Sequence, residues 1–391
     1  MKPWVLLVGT SFSAAPLLFA LRRRGFRVAV CGAQSSDPCV AYADAYHPLD
    51  YSDRETLLHL IQQQGYRYVC PSCNDYAYLS ASYAAHRLGL PGYDTPAATA
   101  IIHNKARFRA HAEAIGLSSP RARAADDPAA VRQLRLPLLV KPTDSFSGRG
   151  MQRVEQYAEL AAALDQAKLE SRDGEAVVEE FINGSLHSHS AFLAGGEIAH
   201  DAFVDEFCQT YPYQVDCSNS PSRLSETVKT RVRDEVLRLA ASLCLADGLI
   251  HTQFINGPDR PYLIESMRRC PGDLFYHLVE FSTGGRYLDS YVAPFIGQAL
   301  PSYTPAPLSY WARHTVSFAT ETVFFSLSPK LPQALDIRVF PLAESASAVR
   351  PAPYGKAAIV FARLSDQEAL FDIAPRLASF FPAHTLERDH E

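Results

Sequence analysis

A lysine near the end of an apolar strand is the first residue of chemical interest. Leu138-Leu-Val-Lys-Pro142 reads as a buried strand, so the Lys141 ammonium projects into whatever the strand faces. A polar loop follows directly, Asp144-Ser-Phe-Ser-Gly-Arg-Gly150. Backbone N–H groups, two hydroxyls and Arg149 in such a loop suit a phosphate chain. Lys105 opens a helix upstream. Downstream, Glu265 ends one strand of a hairpin, Gln253 lies on the partner strand, and Arg268 and Arg269 come next. Oxygen ligands beside cationic side chains fit a magnesium–phosphate site. Each residue alone reads equally as a solvated charge or an ordinary turn. Their order and spacing give them weight.

Alternating strands and helices must carry the first hundred residues. Strands are expected at 4–8, 28–31 and 68–71. Helices are expected at 16–24, 53–64 and 75–88, stopped by Gly25, Gly65 and Gly89. That alternation is the pattern of a parallel sheet with crossover helices, whose loops at the strand carboxyl ends hold ligands. Beyond it come a helix at 104–116, strands at 137–142 and 151–154, a hairpin across Gly195-Gly196, a long amphipathic helix at 224–245, and a second hairpin at 248–267. The expected fold is an N-terminal parallel-sheet α/β domain (1–95), two α+β lobes (96–300, with a lid lobe at about 120–185) and a small C-terminal α+β piece (301–391).

From 91 to 297 the chain resembles the ATP-grasp enzymes, the superfamily of biotin carboxylase, carbamoyl-phosphate synthetase, D-alanine–D-alanine ligase and the bacterial dipeptide ligases. Five blocks carry the resemblance, in order: His103-Asn-Lys-Ala-Arg-Phe-Arg109, Leu138 to Met151, Val177-Val-Glu-Glu-Phe-Ile-Asn-Gly184, His251-Thr-Gln-Phe-Ile255, and Tyr262-Leu-Ile-Glu-Ser-Met-Arg-Arg-Cys-Pro-Gly-Asp273. The resemblance implies that Lys105 and Lys141 hold ATP phosphates. It makes Ser145, Phe146, Ser147, Gly148 and Gly150 a mobile lid. Glu179 and Glu180 then precede a hinge where Phe181 and Ile182 pair with the adenine edge. Glu265 becomes the bridging magnesium (or manganese) carboxylate, Gln253 its companion ligand, and Arg269 the arginine that holds the phosphoryl acceptor.

Three positions depart from the family pattern. Gln253 stands where an acid is usual, and its amide brings no charge to a metal. Met267 stands where an Asn ligand is common, and a thioether is a poor ligand for a hard cation. Leu186 replaces a Glu that takes the ribose hydroxyls, so His187 is expected to take that role. In this fold the acceptor pocket draws on the segment from Asp205 to Tyr213, whose acidic start suits an ammonium group, while Arg223 or Arg268 suits a carboxylate.

The reaction so implied is an ATP-dependent carboxylate–amine ligation through an acyl phosphate, forming an amide or peptide bond and releasing ADP and phosphate. Two alternatives stand beside it: a bicarbonate-activating carboxylase, and a degenerate ATP-binding subunit without turnover, which the three departures motivate. The expected partners are small-molecule carboxylate and amine substrates. A homodimer is common in the superfamily, but no residue here tests it.

Composition narrows the field further. Lys plus Arg is 37 against 42 for Asp plus Glu, a net charge of −5, which gives no electrostatic case for nucleic acid or an anionic membrane. No run of 18 apolar residues exists to span a bilayer. The apolar start is followed, not preceded, by Arg22, Arg23 and Arg24, so it reads as strand and helix rather than a secretory leader. The expected location is therefore the cytoplasm, with the eight cysteines reduced. Cys70-Pro-Ser-Cys73 has no second pair to complete a zinc site, and His187-Ser-His189 reads as ordinary strand alternation.

Overall fold

The computed structural model describes residues 2–145, 148–302 and 306–387. Its N-terminal strands β1 (Trp4–Val8), β2 (Arg27–Gly32), β3 (Ala45–Pro48) and β4 (Val69–Pro71) form one parallel sheet in the order β3-β2-β1-β4. Between them run α1 (Ala15–Arg23) and α2 (Arg54–Gln64), and α3 (Asp75–Leu88) follows β4. Leu6 and Val8 pack with Leu57 and Ile61 of α2 on one face. Val5 and Leu7 pack with Leu17 and Leu21 of α1 on the other. Burial on both faces explains why these strands read as continuous apolar runs.

Caps set the helix ends. The Asp53 carboxylate accepts from the N–H groups of Glu55 and Thr56, and Gly65 closes α2 at φ +67. Asn74 does the same for α3, accepting from Tyr76 and Ala77. β3 is absent from the sequence expectation. It is a four-residue edge strand, partly exposed throughout, with no apolar periodicity to betray it.

After α4 (Pro96–Ile102) and α5 (Lys105–Ala114), a small antiparallel sheet forms from β5 (Ala122–Ala124), β6 (Leu138–Pro142), β7 (Gln152–Val154) and β8 (Ala176–Glu180), in the order β5-β8-β6-β7. A short helix, α6 (Pro128–Val131), and the longer α7 (Leu160–Leu169) cover one face; Leu138, Val140, Val178, Ala163 and Ala167 form the core between them.

The main sheet has eight strands. β9 (Ser185–Ala194) and β10 (Glu197–Phe207) make the first expected hairpin, and β11 (Cys217–Ser220) follows. Past α8 (Glu226–Ser242) come β12 (Gly248–Asn256) and β13 (Pro261–Met267), the second hairpin, then α9 (Phe275–Thr283) and α10 (Tyr287–Val292). Beyond them lie β14 (Tyr310–Val316), β15 (Thr322–Leu327), β16 (Asp336–Pro341), β17 (Ser347–Val349), β18 (Ala358–Leu364), α11 (Gln367–Ile373) and β19 (Ala383–Glu387). The order is β13-β12-β9-β10-β11-β14-β18-β16, while β17-β15-β19 form a separate small sheet. Residues 301–391 therefore contribute β14, β18 and β16 to the same sheet that the two hairpins begin.

The two faces of this sheet differ. Ala191, Leu193, Phe203, Ile250 and Phe254 pack with Phe108 of α5 and Val232 and Val236 of α8. Their strand neighbours Phe192, Val204, Leu249 and Trp311 point the other way, into a core shared with α1, α9 and α10. Gln253, His251, Ser188, Glu206 and Arg313 lie on that second face by alternation. No helix among the described residues is long and apolar enough to cross a membrane.

Candidate active site

Lys105 is the first residue of α5, whose N-terminus is capped by the Asn104 side chain. Its ammonium donates to the Ser145 carbonyl at 2.6 Å and lies 3.7 Å from Glu265 Oε1. One cation thus links the start of the glycine loop to the carboxylate expected to hold the metal.

Lys141 lies beside it on β6. Lys141 and Glu179 are diagonal neighbours across the β6–β8 pair, since Leu139 faces Glu179 and Lys141 faces Val177. Their charged groups meet at 2.8 Å, and both residues are almost fully buried. Arg109 Nε approaches the other Glu179 oxygen at 2.9 Å, and its terminal nitrogen donates to the Ile264 carbonyl at 2.7 Å. Burial pulls the Lys141 pKa down, while Glu179 holds it up. Burial also works against the Glu179 charge, but Arg109 and Lys141 together keep its carboxyl below the ordinary range. Glu179 is therefore the counter-charge of the two cations.

The loop between β6 and β7 turns at Gly148 and Gly150, at φ +72 and +68. A Cβ at Gly148 would come within 2.8 Å of the Pro212 carbonyl, so the loop rests against the connection between β10 and β11. Ser145 Oγ donates to the Arg149 carbonyl at 2.9 Å. Phe146 and Ser147 lie outside the described residues.

Four expectations need correction. Glu180 points away from Glu179 and binds Arg121 at 3.2 Å and Arg135 at 3.3 Å, a clamp within the small sheet rather than a nucleotide contact. The expected adenine pairing at Phe181 and Ile182 is not one of them: the Phe181 N–H donates to the Pro137 carbonyl and Arg153 covers its ring at 4.3 Å, while Ile182 follows in the link to β9. His187 is buried, with Asp205 on one ring nitrogen at 2.9 Å and Ser185 on the other at 2.6 Å, so neither is open to a ribose. Arg268 is buried against Asp94 at 2.7 Å and donates to the Leu249 and Ala246 carbonyls, each at 2.6 Å. Its role is to tie the N-terminal part to the main sheet. Arg223 pairs with Asp205 at 3.4 Å and donates to the Phe371 carbonyl. Asp205 and Glu206 are successive strand residues on opposite faces, which puts Arg223 on the wrong face for the cleft.

Arg269 is where the family pattern places it, but it has an unexpected partner. Its guanidinium meets Asp75 at 2.8 Å, and Asp75 also meets the His103 ring at 3.2 Å. Burial works against the Asp75 charge; Arg269 and His103 overcome it and hold the carboxyl well below its ordinary range. Gln253 faces Glu265 across β12–β13, and its amide donates to Glu206 at 2.8 Å. The amide nitrogen is thereby turned to Glu206, leaving the amide oxygen as the atom with metal-ligand chemistry. Met267 is buried beside them.

Further residues of this face escaped the sequence reading. Arg313 donates to Ser218 Oγ and to the Asp273 carbonyl, each at 2.9 Å. The Asp273 side chain pairs with Lys356. Arg109 and Asp273 sat inside the quoted blocks without a role. Arg313 and Lys356 lie past residue 300, where no motif pointed. The alternative metal site at His187 and His189 is also accounted for, since His189 meets Asp201 at 2.8 Å. Among the described residues no cluster of three His, Cys, Asp or Glu side chains is arranged to hold a metal. The cysteines are free thiols, and burial pushes Cys70 well up.

The comparisons agree with this architecture. Residues 117–247 match the family model described as D-ala D-ala ligase C-terminus. The chain is 30% identical over 176 residues to the carbamoyl phosphate synthase large chain of Deinococcus deserti, covering 43% of this chain and 17% of that one. It therefore spans about a sixth of that relative's length. The L-amino acid ligase structure from Bacillus licheniformis superimposes with a TM-score of 0.79 at 18% identity, covering 100% of both chains. The biotin carboxylase domain of Hydrogenobacter thermophilus 2-oxoglutarate carboxylase, solved with MgADP and bicarbonate, gives 0.77 at 17% identity, covering 99% of this chain and 92% of that one. The fold is that of the ATP-grasp enzymes. The similarity to the D-ala D-ala ligase C-terminal model is confined to the segment from 117 to 247.

Proposed function

We propose that this chain is an ATP-dependent ligase that joins a small carboxylate to an amine through an acyl phosphate, releasing ADP and phosphate. The observation that carries the reading is the Lys105 ammonium held between the Ser145 carbonyl and Glu265. It brings a phosphate-binding cation, the glycine loop and an acid suited to a divalent ion to one point.

The residues fit ATP and magnesium. Glu265 has a third of its side chain exposed, and the Gln253 amide oxygen stands across from it. Magnesium bound there supplies charge neutralisation to the phosphates. Lys105 and Lys141 bind the transferring phosphoryl oxygens and offset the charge that develops on them. Attack on a carboxylate piles charge onto an anion, so one oxygen must first become a leaving group. Arg269 holds that carboxylate, moving from Asp75 to the incoming anion. The loop at Ser145 to Gly150 excludes water, which would hydrolyse the acyl phosphate.

The test is a phosphate-release assay over a panel of carboxylates and amines, each with ATP and Mg2+. ADP formation that requires both an acid and an amine supports the reading. AMP with pyrophosphate overturns it. Release that depends on bicarbonate alone selects a carboxylase instead, and nucleotide binding without turnover selects the degenerate subunit.

A further inference from the structure

The face of the main sheet turned away from the cleft carries a second polar constellation. Ser185 and His187 share that face of β9, and Asp205 stands opposite His187 on β10. Ser185 Oγ lies 2.6 Å from His187 Nε2, and His187 Nδ1 lies 2.9 Å from Asp205 Oδ1. The His187 ring stacks on Phe254 at 5.5 Å, which fixes its plane. His187 and Asp205 are buried, whereas Ser185 is exposed. Asp205 also accepts from the Asn219 amide at 3.0 Å, the Arg223 N–H at 3.0 Å and the Ser222 hydroxyl. Burial works against its charge, but His187 and Ser222 hold the carboxyl below its ordinary range. An ionised carboxylate only accepts, so the neutral His187 ring carries its proton on Nδ1. Nε2 then holds the lone pair, and Ser185 donates to it. His189 and His103 also meet a carboxylate, but the second nitrogen of each has no hydrogen-bond partner.

We propose that Ser185 is an activated nucleophile that takes an acyl group from a small activated ester. The proposal goes beyond the ligase reading and does not depend on it. The atoms follow the order of a serine–histidine–acid relay, hydroxyl to Nε2 and Nδ1 to carboxylate, which is recognised by geometry and not by sequence position. A serine hydroxyl is a weak nucleophile until a base takes its proton. His187 Nε2 takes that proton as Ser185 Oγ forms its bond to the acyl carbon. The bond from that carbon to the leaving oxygen breaks. The leaving oxygen keeps the electron pair and receives the proton from His187, which returns to its neutral form. Asp205 keeps its charge throughout and stabilises the imidazolium while the proton is in transit. Exposure of Ser185 lets the ester arrive from solvent. The acyl group ends as an ester on Ser185, in the link between the small sheet and the main sheet.

The probe is p-nitrophenyl acetate, added to the full chain at neutral pH without nucleotide. The parent should release a burst of about one p-nitrophenol per chain. Peptide mass spectrometry should then place the acetyl group on Ser185. Ser185→Ala changes an exposed residue, so it should keep the thermal midpoint and lose the burst. His187→Gln and Asp205→Asn should each slow acetylation of Ser185 by roughly a hundredfold, read well below the thermal midpoint of each variant. A fluorophosphonate gives a second reading on the parent alone: the Oγ–P bond forms, the P–F bond breaks, and the label should sit on Ser185. Acetyl found only on lysines or other groups overturns the proposal. So does a burst that survives Ser185→Ala, or a Ser185 acetylation rate that His187→Gln leaves unchanged.

Discussion

Glu179 Oε2 lies 2.8 Å from the Lys141 ammonium, and neither side chain is more than 5% exposed. The lysine proposed to bind phosphate is thus also half of a buried ion pair. Removing one member leaves the other charge uncompensated in the interior, at a cost of about 3 to 5 kcal/mol. Lys141→Ala is therefore expected to lose both ADP release and roughly 3 kcal/mol of stability, measured by urea unfolding. The paired replacement Lys141→Met with Glu179→Gln should regain neither stability nor activity, because the buried Arg109 then loses its counter-charge. A single variant that unfolds normally would show that Arg109 alone compensates Glu179.

Glu265 offers the opposite case. It is a third exposed, and its nearest cation stands 3.7 Å away. Glu265→Gln should change stability by less than about 0.5 kcal/mol. ADP release should fall more than a hundredfold, and raising Mg2+ should restore only part of it. Full activity at ordinary Mg2+ would remove Glu265 from the metal site.

The two neighbouring arginines should separate cleanly. Arg268 neutralises the buried Asp94 and satisfies backbone carbonyls, so Arg268→Ala should destabilise the fold by about 3 kcal/mol or more, whatever the substrate. Arg269→Ala should fold and bind nucleotide, as followed by calorimetry with ADP and Mg2+, yet lose acid-dependent turnover. A selective loss of nucleotide affinity in Arg269→Ala contradicts its assignment to the carboxylate.

His251 predicts an acid sensitivity. It is buried on β12, and Ser190 Oγ meets its ring at 2.7 Å. Burial, with Arg269 adding to it, pushes its pKa down to about 3 from an ordinary 6.5. The unfolded chain therefore takes up a proton below pH 6.5 that the folded chain refuses. The contribution is complete above that pH and lost progressively toward pH 3, at about 1.4 kcal/mol per unit. The urea midpoint should fall between pH 6.5 and 5 by an amount equivalent to about 2 kcal/mol. His251→Gln should flatten that slope.

Much of the fold could be read from local signals. Asp53 with Gly65 and Asn74 with Gly89 mark helix ends by chemistry that acts over a few residues, and those ends are where expected. Lys105, Lys141 and Glu265 could be tied to one site because they sit in blocks with a fixed order. Other features depend on pairing between distant strands. Glu206 and Arg313 share a face only because β11 lies between β10 and β14, which no local pattern reveals. Arg268 and Arg269 are adjacent and chemically identical, so their divergent fates follow from which way each side chain leaves the end of β13. His187 was misassigned for the same reason: its strand position says which face it takes only once the sheet order is known.

Two acids from the first hundred residues, Asp75 and Asp94, hold the arginine pair that follows β13. The residues proposed to grip polyphosphate, Lys105 and Lys141, thus lie outside the N-terminal segment that holds Arg269, the arginine proposed to take the acceptor. Exchanging residues 1–95 between homologues would replace the acids that set Arg268 and Arg269 and leave Lys105, Lys141 and Glu265 in place.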